Sequence, residues 1–309
     1  MGGGNRHIYH VRGNGTLEFM RYDVATDSWE FLPDIPAGTQ PKVKGGCDIA
    51  YTERHDTGYV YLLKGRSPDF LRFNTVSREW STLPTPPFEP KATEGTWLCY
   101  DLSRIIYVHP AKSEFMYRFD AQADTWCHGV LAGMPLFNSQ TGKTKKPKDG
   151  GSAGWHYGKL YAMKGGNTQD LYIYDPVADQ WFERETIPSV GYLGKKHRVK
   201  GGGDAITYDD GNVPVVLLAL KGGKSDELWR YEWTMTGTSK AASGPAHLAA
   251  TVPKPTVSTP CARSTLTVSI HSPDAACFDA TGRRVNATGL LRPGVYYLGP
   301  GHRRVVVIR

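Results

Sequence analysis

Residues 158–188 read GKLYAMKGGNTQDLYIYDPVADQWFERETIP. An aliphatic run, Leu160 to Met163, ends in Lys164-Gly165-Gly166. A second apolar run, Leu171 to Tyr174, ends in Asp175; Trp181 follows six residues later, and Ile187-Pro188 closes the stretch. Short runs of aliphatic and aromatic residues between Gly, Asp and Pro turns predict β-strands. A side chain such as Asp175 can hold a tight turn by bonding backbone N–H groups two residues on.

The same pattern recurs outward from this stretch. RYDVATDSW (21–29), RFNTVSREW (72–80) and RFDAQADTW (118–126) align with IYDPVADQW (173–181) without gaps. A fifth copy, RYEWTMTGT (230–238), keeps the start and loses the Trp. The Trp spacings are 51, 46 and 55 residues, so one unit is about 50 residues long. Aliphatic runs ending in a basic residue and Gly precede most copies: HIYHVRG (7–13), YVYLLKG (59–65) and VVLLALKG (215–222). The third copy, RIIYVHP (104–110), ends instead in His109-Pro110. Gly-rich apolar runs open the later units: KGGCDIAY (44–51), EGTWLCY (94–100), DGGSAGWHY (149–157) and KGGGDAITY (200–208). Each unit therefore reads as four short strands. Four strands per repeat of this length predict an all-β propeller of about five blades.

That geometry assigns roles. Asp23, Asp120 and Asp175 are expected to hold the turn from strand three to strand four. Trp29, Trp80, Trp126 and Trp181 are expected to be buried between blades. The first unit lacks strand one and the fifth lacks a recognisable strand four. A weakened seam between the first and last units is expected, from an N-terminal segment missing from this chain.

The motif resembles the kelch repeat, over about residues 7–236: aliphatic strand, Gly-Gly, Tyr-Asp, six residues, Trp, and a short Pro turn. Resemblance to kelch propellers implies a domain over 1–236 that binds a protein or a glycan, with enzymes a minority of the family. Residues 237–262 are rich in Ala, Ser, Thr and Pro and read as a semi-extended linker. Residues 263–309 follow with the runs FDATGRRV (278–285), LLRPGVYYL (290–298) and RRVVVIR (303–309). They resemble the C-terminal sorting domain of the bacterial type IX secretion system. That resemblance implies a small β-sandwich, the type IX export machinery as a partner, and a secreted or cell-surface protein.

Composition bounds the rest. In 309 residues, 39% are hydrophobic and 11% aromatic, too many of both for a disordered chain. The longest apolar run, Val213 to Leu220, is too short to span a bilayer as a helix. The opening MGGGNRHIYH has no charged start followed by an apolar core, so a secretory signal is expected to be absent from this chain. Five Cys and ten His form no metal-ligand spacing, and no nucleophile–base arrangement is read. No cofactor and no metal are expected.

Net charge is +7, and it is concentrated. Residues 141–149 (TGKTKKPKD) carry +3, residues 195–200 (KKHRVK) carry +4, and the last 49 residues carry +5. In a propeller, the loops after strands two and four open on one face. Arg12, Lys64, Lys164 and Lys221 fall after strand two, and Lys44, Lys148 and Lys200 fall where strand one begins. They are read as a basic crown that attracts an anion. The competing reading is that a Lys repeated in every blade serves the blade, with its stem packed and its ammonium on a carbonyl. The leading functional reading is a secreted, monomeric, non-catalytic binding propeller whose ligand is a protein or a glycan, acidic glycans included. The alternative is a carbohydrate-active propeller enzyme of lyase, epimerase or oxidase type. Nucleic acid is not favoured, because the 141–149 loop carries no aromatic for base stacking.

Overall fold

The computed structural model describes residues 7–89, 91–191, 194–208, 215–225 and 227–233, and in the tail 277–279, 284–285, 294–298 and 303–307. All described regular structure is β. The first sheet holds β1 (His7–Val11), β2 (Phe19–Asp23) and β3 (Ser28–Leu32). The second holds β4 (Lys44–Arg54), β5 (Thr57–Gly65), β6 (Phe70–Asn74) and β7 (Glu79–Thr82). The third holds β8 (Trp97–Tyr100), β9 (Ile105–His109), β10 (Phe115–Asp120) and β11 (Thr125–Trp126), with β12 (Leu131–Ala132) added to β10. A hairpin of β13 (Phe137–Asn138) and β14 (Lys143–Thr144) precedes the fourth sheet. The fourth holds β15 (Ser152–His156), β16 (Lys159–Met163), β17 (Leu171–Asp175) and β18 (Gln180–Glu183). The fifth holds β19 (Asp204–Tyr208), β20 (Val215–Leu220) and β21 (Leu228–Trp233).

These are five propeller blades, antiparallel throughout. The Gly-rich strands β4, β8, β15 and β19 pack against one another in sequence, so they line the axis. Four buried clusters fill the spaces between consecutive blades. Tyr9 and Phe19 meet Val60 and Leu62; Tyr61 and Phe70 meet Ile106 and Phe119; Tyr107 meets Leu160 and Tyr174; Tyr161 and Ile173 meet Leu217 and Trp229. Strand alternation explains this, because successive side chains of one strand serve opposite neighbours.

The expected three-strand first and fifth blades are found among the described residues. Their facing surfaces lie open. Ile8 is 56% exposed, whereas its counterpart Val60 is fully buried. On the fifth blade Ile206 is 63% exposed, and Leu220 and Leu228 are each 42% exposed. Among the described residues, no buried cluster joins the fifth blade to the first.

Two repeated devices lock neighbouring blades at the axis. The first is a hydrogen bond from the loop after strand two to the segment leading into the next inner strand: Gly15 N–H to Val43 O (3.0 Å), Arg66 to Ala92 (2.8 Å), Lys112 to Pro147 (2.7 Å) and Asn167 to Val199 (2.9 Å). The second is a tight turn that opens each inner strand. Thr96 N–H bonds Thr93 O (2.9 Å), and Gly151 N–H bonds Lys148 O (2.8 Å). Gly95 and Gly150 occupy the positive-φ corner of these turns, at +93° and +85°. A Cβ on Gly95 would overlap the Lys148 carbonyl, and one on Gly150 the Lys200 carbonyl. Only glycine permits that approach of backbone to backbone.

The outer turns follow the sequence with one addition. Asp23 accepts the Ala25 and Thr26 N–H groups (2.7 and 3.1 Å). Asp120 accepts Gln122 and Ala123 (2.9 and 3.0 Å), and Asp175 accepts Val177 and Ala178 (3.0 and 3.4 Å). Asp27, Arg78, Asp124 and Asp179, each two residues before the Trp, take positive φ. Asp tolerates that conformation better than most side chains, which accounts for three of the four.

The tryptophans require a correction: they are not buried. Trp80, Trp126 and Trp181 are half-buried, and Trp29 is 55% exposed. They sit on the outermost strands, where the ring is widest. Each of the three lies with its indole N–H on the preceding connection, at Pro33 O (3.0 Å), Pro84 O (2.8 Å) and Ala132 O (2.8 Å). Trp29 belongs to the first blade and, among the described residues, packs on Tyr22 and His10 of that blade.

The chain divides into two compact units, Met1–Ser258 and Thr259–Arg309. The division falls inside the stretch read as a linker, which itself lies outside the described residues. In the second unit, β22 (Cys277–Asp279), β23 (Arg284–Val285), β24 (Gly294–Leu298) and β25 (Arg303–Val307) form one antiparallel sheet, ordered β23-β22-β24-β25. The expected sandwich would need a second layer, and no such layer is among the described residues.

Trp181→Ala is expected to cost about 2–4 kcal/mol, through lost packing on Tyr172 and Tyr174 and a lost hydrogen bond. Trp29→Ala should cost about 1 kcal/mol or less, as at an exposed site. Urea unfolding of both variants checks this; equal costs would contradict the open seam.

Candidate functional site

The basic crown resolves into two populations. Lys64, Lys164 and Lys221 are fully buried, which corrects their assignment to an exposed ligand site. Each lies at or just after the end of strand two, where the side chain turns inward under the connecting loop. Lys64 Nζ donates to the carbonyls of Pro36 and Ala37 (both 2.7 Å). Lys164 Nζ donates to Leu136 O (2.9 Å) and Asp170 Oδ2 (3.2 Å), above the Tyr172 ring. Lys221 pairs with Glu227 and sits 4.6 Å from the Trp229 ring centroid. A buried ammonium must have its protons satisfied, and the connection from the preceding blade supplies that in two of the three. Burial holds Lys64 and Lys164 below the ordinary lysine range, partly offset by Asp69 and Asp170.

His109 occupies the same place in the third blade, where the repeat departs from Lys-Gly. It is fully buried and stacked on Trp97. Its Nε2 accepts the Met134 N–H (2.9 Å), so the ring proton is on Nδ1 and is donated to Pro110 O (2.9 Å). Burial pushes its pKa down to about 4.

Arg12, Lys44, Lys148 and Lys200 are the exposed members. Arg12 is paired with Glu18. Lys148 and Lys200 begin the turns at the mouth of the axis, with Lys148 N–H on Lys164 O (3.1 Å) and Lys200 N–H on Lys221 O (3.0 Å). The buried and exposed lysines are thus successive layers of one backbone ladder.

The two basic loops also meet. The 165–170 loop pairs with the 195–200 loop through Asn167 N–H to Val199 O (2.9 Å) and Val199 N–H to Thr168 O (2.9 Å). The β13–β14 hairpin lies on its other side, anchored by Asn138 Nδ2 on Tyr172 OH (3.2 Å) and by Gln140 Nε2 on Arg184 O (2.7 Å). Between them is a cleft of about 60 Å³, lined by Thr141, Lys143, Lys145, Asn167 and Arg198. Asp170 reaches it too, but its carboxylate is committed to Lys164. Thr141 Oγ1 is buried there with no partner among the described residues. The sequence marked both loops as basic, but it did not single out Lys143, Lys145 or Arg198 as neighbours. Only the bridge at Thr168 and Val199 makes them so.

No family model matches the chain, and no curated protein matches it. Among solved structures, that of YjhT superimposes with a TM-score of 0.50 at 12% identity, over 75% of this chain and 79% of that one. A structural-genomics protein of unknown function from Bacteroides thetaiotaomicron gives 0.49 at 13% identity, over 69% of this chain and 53% of that one. The likeness to YjhT speaks to the fold alone.

Two outcomes follow from the buried bases. Lys221→Ala leaves Glu227 buried without its cation and should destabilise the protein by about 3–5 kcal/mol. Replacing both, as Lys221→Met with Glu227→Gln, should restore most of that in thermal or urea unfolding. For His109, the unfolded chain takes up a proton near pH 6.5, before the folded one does. Stability is therefore full above about pH 6.5 and is lost by roughly 3 kcal/mol as pH falls towards 4. Urea midpoints at pH 7 and 4.5, compared with His109→Gln, read the difference directly. An identical pH dependence in the variant would contradict it.

Proposed function

We propose that this chain is a non-catalytic kelch-type binding propeller that takes an acidic glycan on its basic face. The observation that carries the reading is the meeting of residues 141–149 and 195–200 across the 165–170 loop, with Lys143, Lys145 and Arg198 around one cleft. Three cations converge there beside a buried hydroxyl, Thr141 Oγ1, and Asp170, the one carboxylate among the described lining residues, is paired with Lys164. Sulfate or carboxylate groups on a sugar suit such a site, since Arg offers a planar fork and Lys a point charge. Lys148 and Lys200 extend the positive field toward the axis. In this reading the C-terminal residues 263–309 act as a sorting domain of the type IX kind, and the protein works outside the cell or at its surface. The motifs that support this part are FDATGRRV, LLRPGVYYL and RRVVVIR, in that order.

Heparin oligosaccharide is the probe. Binding should be clear at low salt and fall steeply once the Debye length drops below about 10 Å, near 0.1 M. Lys143→Glu with Lys145→Glu and Arg198→Glu should weaken it at least ten-fold with an unchanged melting curve. A triple variant that binds as tightly as the parent would overturn the reading.

A further inference from the structure

The walls of the basic cleft are tied down on every side described. The β13–β14 hairpin is closed by Lys145 N–H on Leu136 O (2.8 Å) and Gly142 N–H on Asn138 O (2.9 Å). Ser139 N–H ties it to Glu183 Oε1 of β18 (2.8 Å). The 165–170 loop is pinned by Gly166 N–H on Asp149 O (2.8 Å), beside its two bonds with Val199. Widening the cleft would break several of these bonds together. Its volume of about 60 Å³ therefore limits what can enter. At roughly 30 Å³ per molecule of liquid water, that is room for a few non-hydrogen atoms. A sugar ring with its hydroxyl groups is excluded, whereas a small charged group hanging from the ring is not.

The lining presents donors to that small space. Lys143, Lys145 and Arg198 line it and have no ion-pair partner among the described residues. Gln169 Nε2, by contrast, donates to Ile187 O (2.5 Å), and Asp170 is paired with Lys164. Arg198 offers a planar fork that suits two oxygens of one anion, and the two lysines suit a third as point charges. A group with three terminal oxygens uses all three cations; a carboxylate has only two.

We propose that the group this cleft takes is a sulfate half-ester on the glycan, and that the carboxylate of a uronic acid is discriminated against; this rests on the acidic-glycan reading above. A sulfate stands off the ring through a bridging oxygen or nitrogen, so its terminal oxygens reach the cations while the ring stays at the mouth. A uronate carboxylate is bonded directly to a ring carbon, and its oxygens reach as far only if the ring follows. Selectivity is then a matter of reach, and excess charge on the ligand does not replace it.

The test uses the full chain and two oligosaccharides of equal length at low salt. Oligomers of kappa-carrageenan carry a sulfate on every second sugar and no carboxylate. Oligogalacturonate carries a carboxylate on every sugar, and so twice the charge. Kappa-carrageenan is expected to bind at least ten-fold tighter, against the order of charge. Inorganic sulfate should displace it, and acetate at the same ionic strength should not. The variant with Lys143→Glu, Lys145→Glu and Arg198→Glu should lose the preference with an unchanged melting curve. Equal or tighter binding of oligogalacturonate, or equal displacement by acetate, overturns the inference; if the triple variant still weakens heparin, the acidic-glycan reading stands. Heparin binding without kappa-carrageenan binding would make charge density the determinant and would also overturn it. If the triple variant binds every one of these ligands as the parent does, both the inference and the reading beneath it fail.

Discussion

From the first blade to the fifth, consecutive blades are tied near the axis by a repeated backbone hydrogen bond, from the loop after strand two to the segment that leads into the following inner strand. It recurs at Gly15, Arg66, Lys112 and Asn167. Its geometry fixes the spacing of the inner strands, and the Gly corners at 95 and 150 make that spacing reachable. The apolar clusters between blades supply the bulk of the burial, but they are non-directional. The angular step from blade to blade comes from the directional contacts at the axis and from the outer indoles that lie on the preceding connection.

That same constraint determines where charge can go. In the second, fourth and fifth blades the residue after the aliphatic strand lies under the connecting loop, so Lys there is buried and must be satisfied by the protein, whereas Arg12 of the first blade is exposed. Lys64 and Lys164 meet carbonyls of the preceding connection, whereas Lys221 meets Glu227. His109 solves the same problem as a neutral base, accepting an N–H where the others donate. A buried lysine at this position is therefore a staple. The cations free to meet a ligand are those one layer outward, at Lys44, Lys148 and Lys200, and those on the loops that the fourth blade gathers.

The open seam and the basic cleft have different origins. The seam reflects strands that the first and fifth blades lack among the described residues, and it exposes surface that every interior blade buries. The cleft comes from a local insertion, the β13–β14 hairpin, which lengthens one connection and brings its lysines beside Arg198. The first is a property of the repeat and the second a departure from it. A binding site on a repeat fold is expected at such a departure, since connections tolerate insertion while strands do not.

The sequence by itself determined the repeat, and through it the strands. The Trp spacing, the Gly runs and the Asp turns are local, period-bound signals, and each is set by backbone geometry within a few residues. It also made legible the three-strand form that the first and fifth blades have among the described residues. What it did not settle was which side of a repeated residue faces protein and which faces water. Trp29 and Trp181 share one motif, yet among the described residues Trp181 lies on a preceding connection and Trp29 does not. Lys164 and Lys148 both read as cations on one face, yet one is fully buried and the other exposed. The meeting of Lys143 with Arg198 depends on a bridge between Thr168 and Val199, residues with no charge to mark them. Burial and proximity of this kind are set by contacts between blades about 50 residues apart, and only the closed packing of one blade on the next decides them.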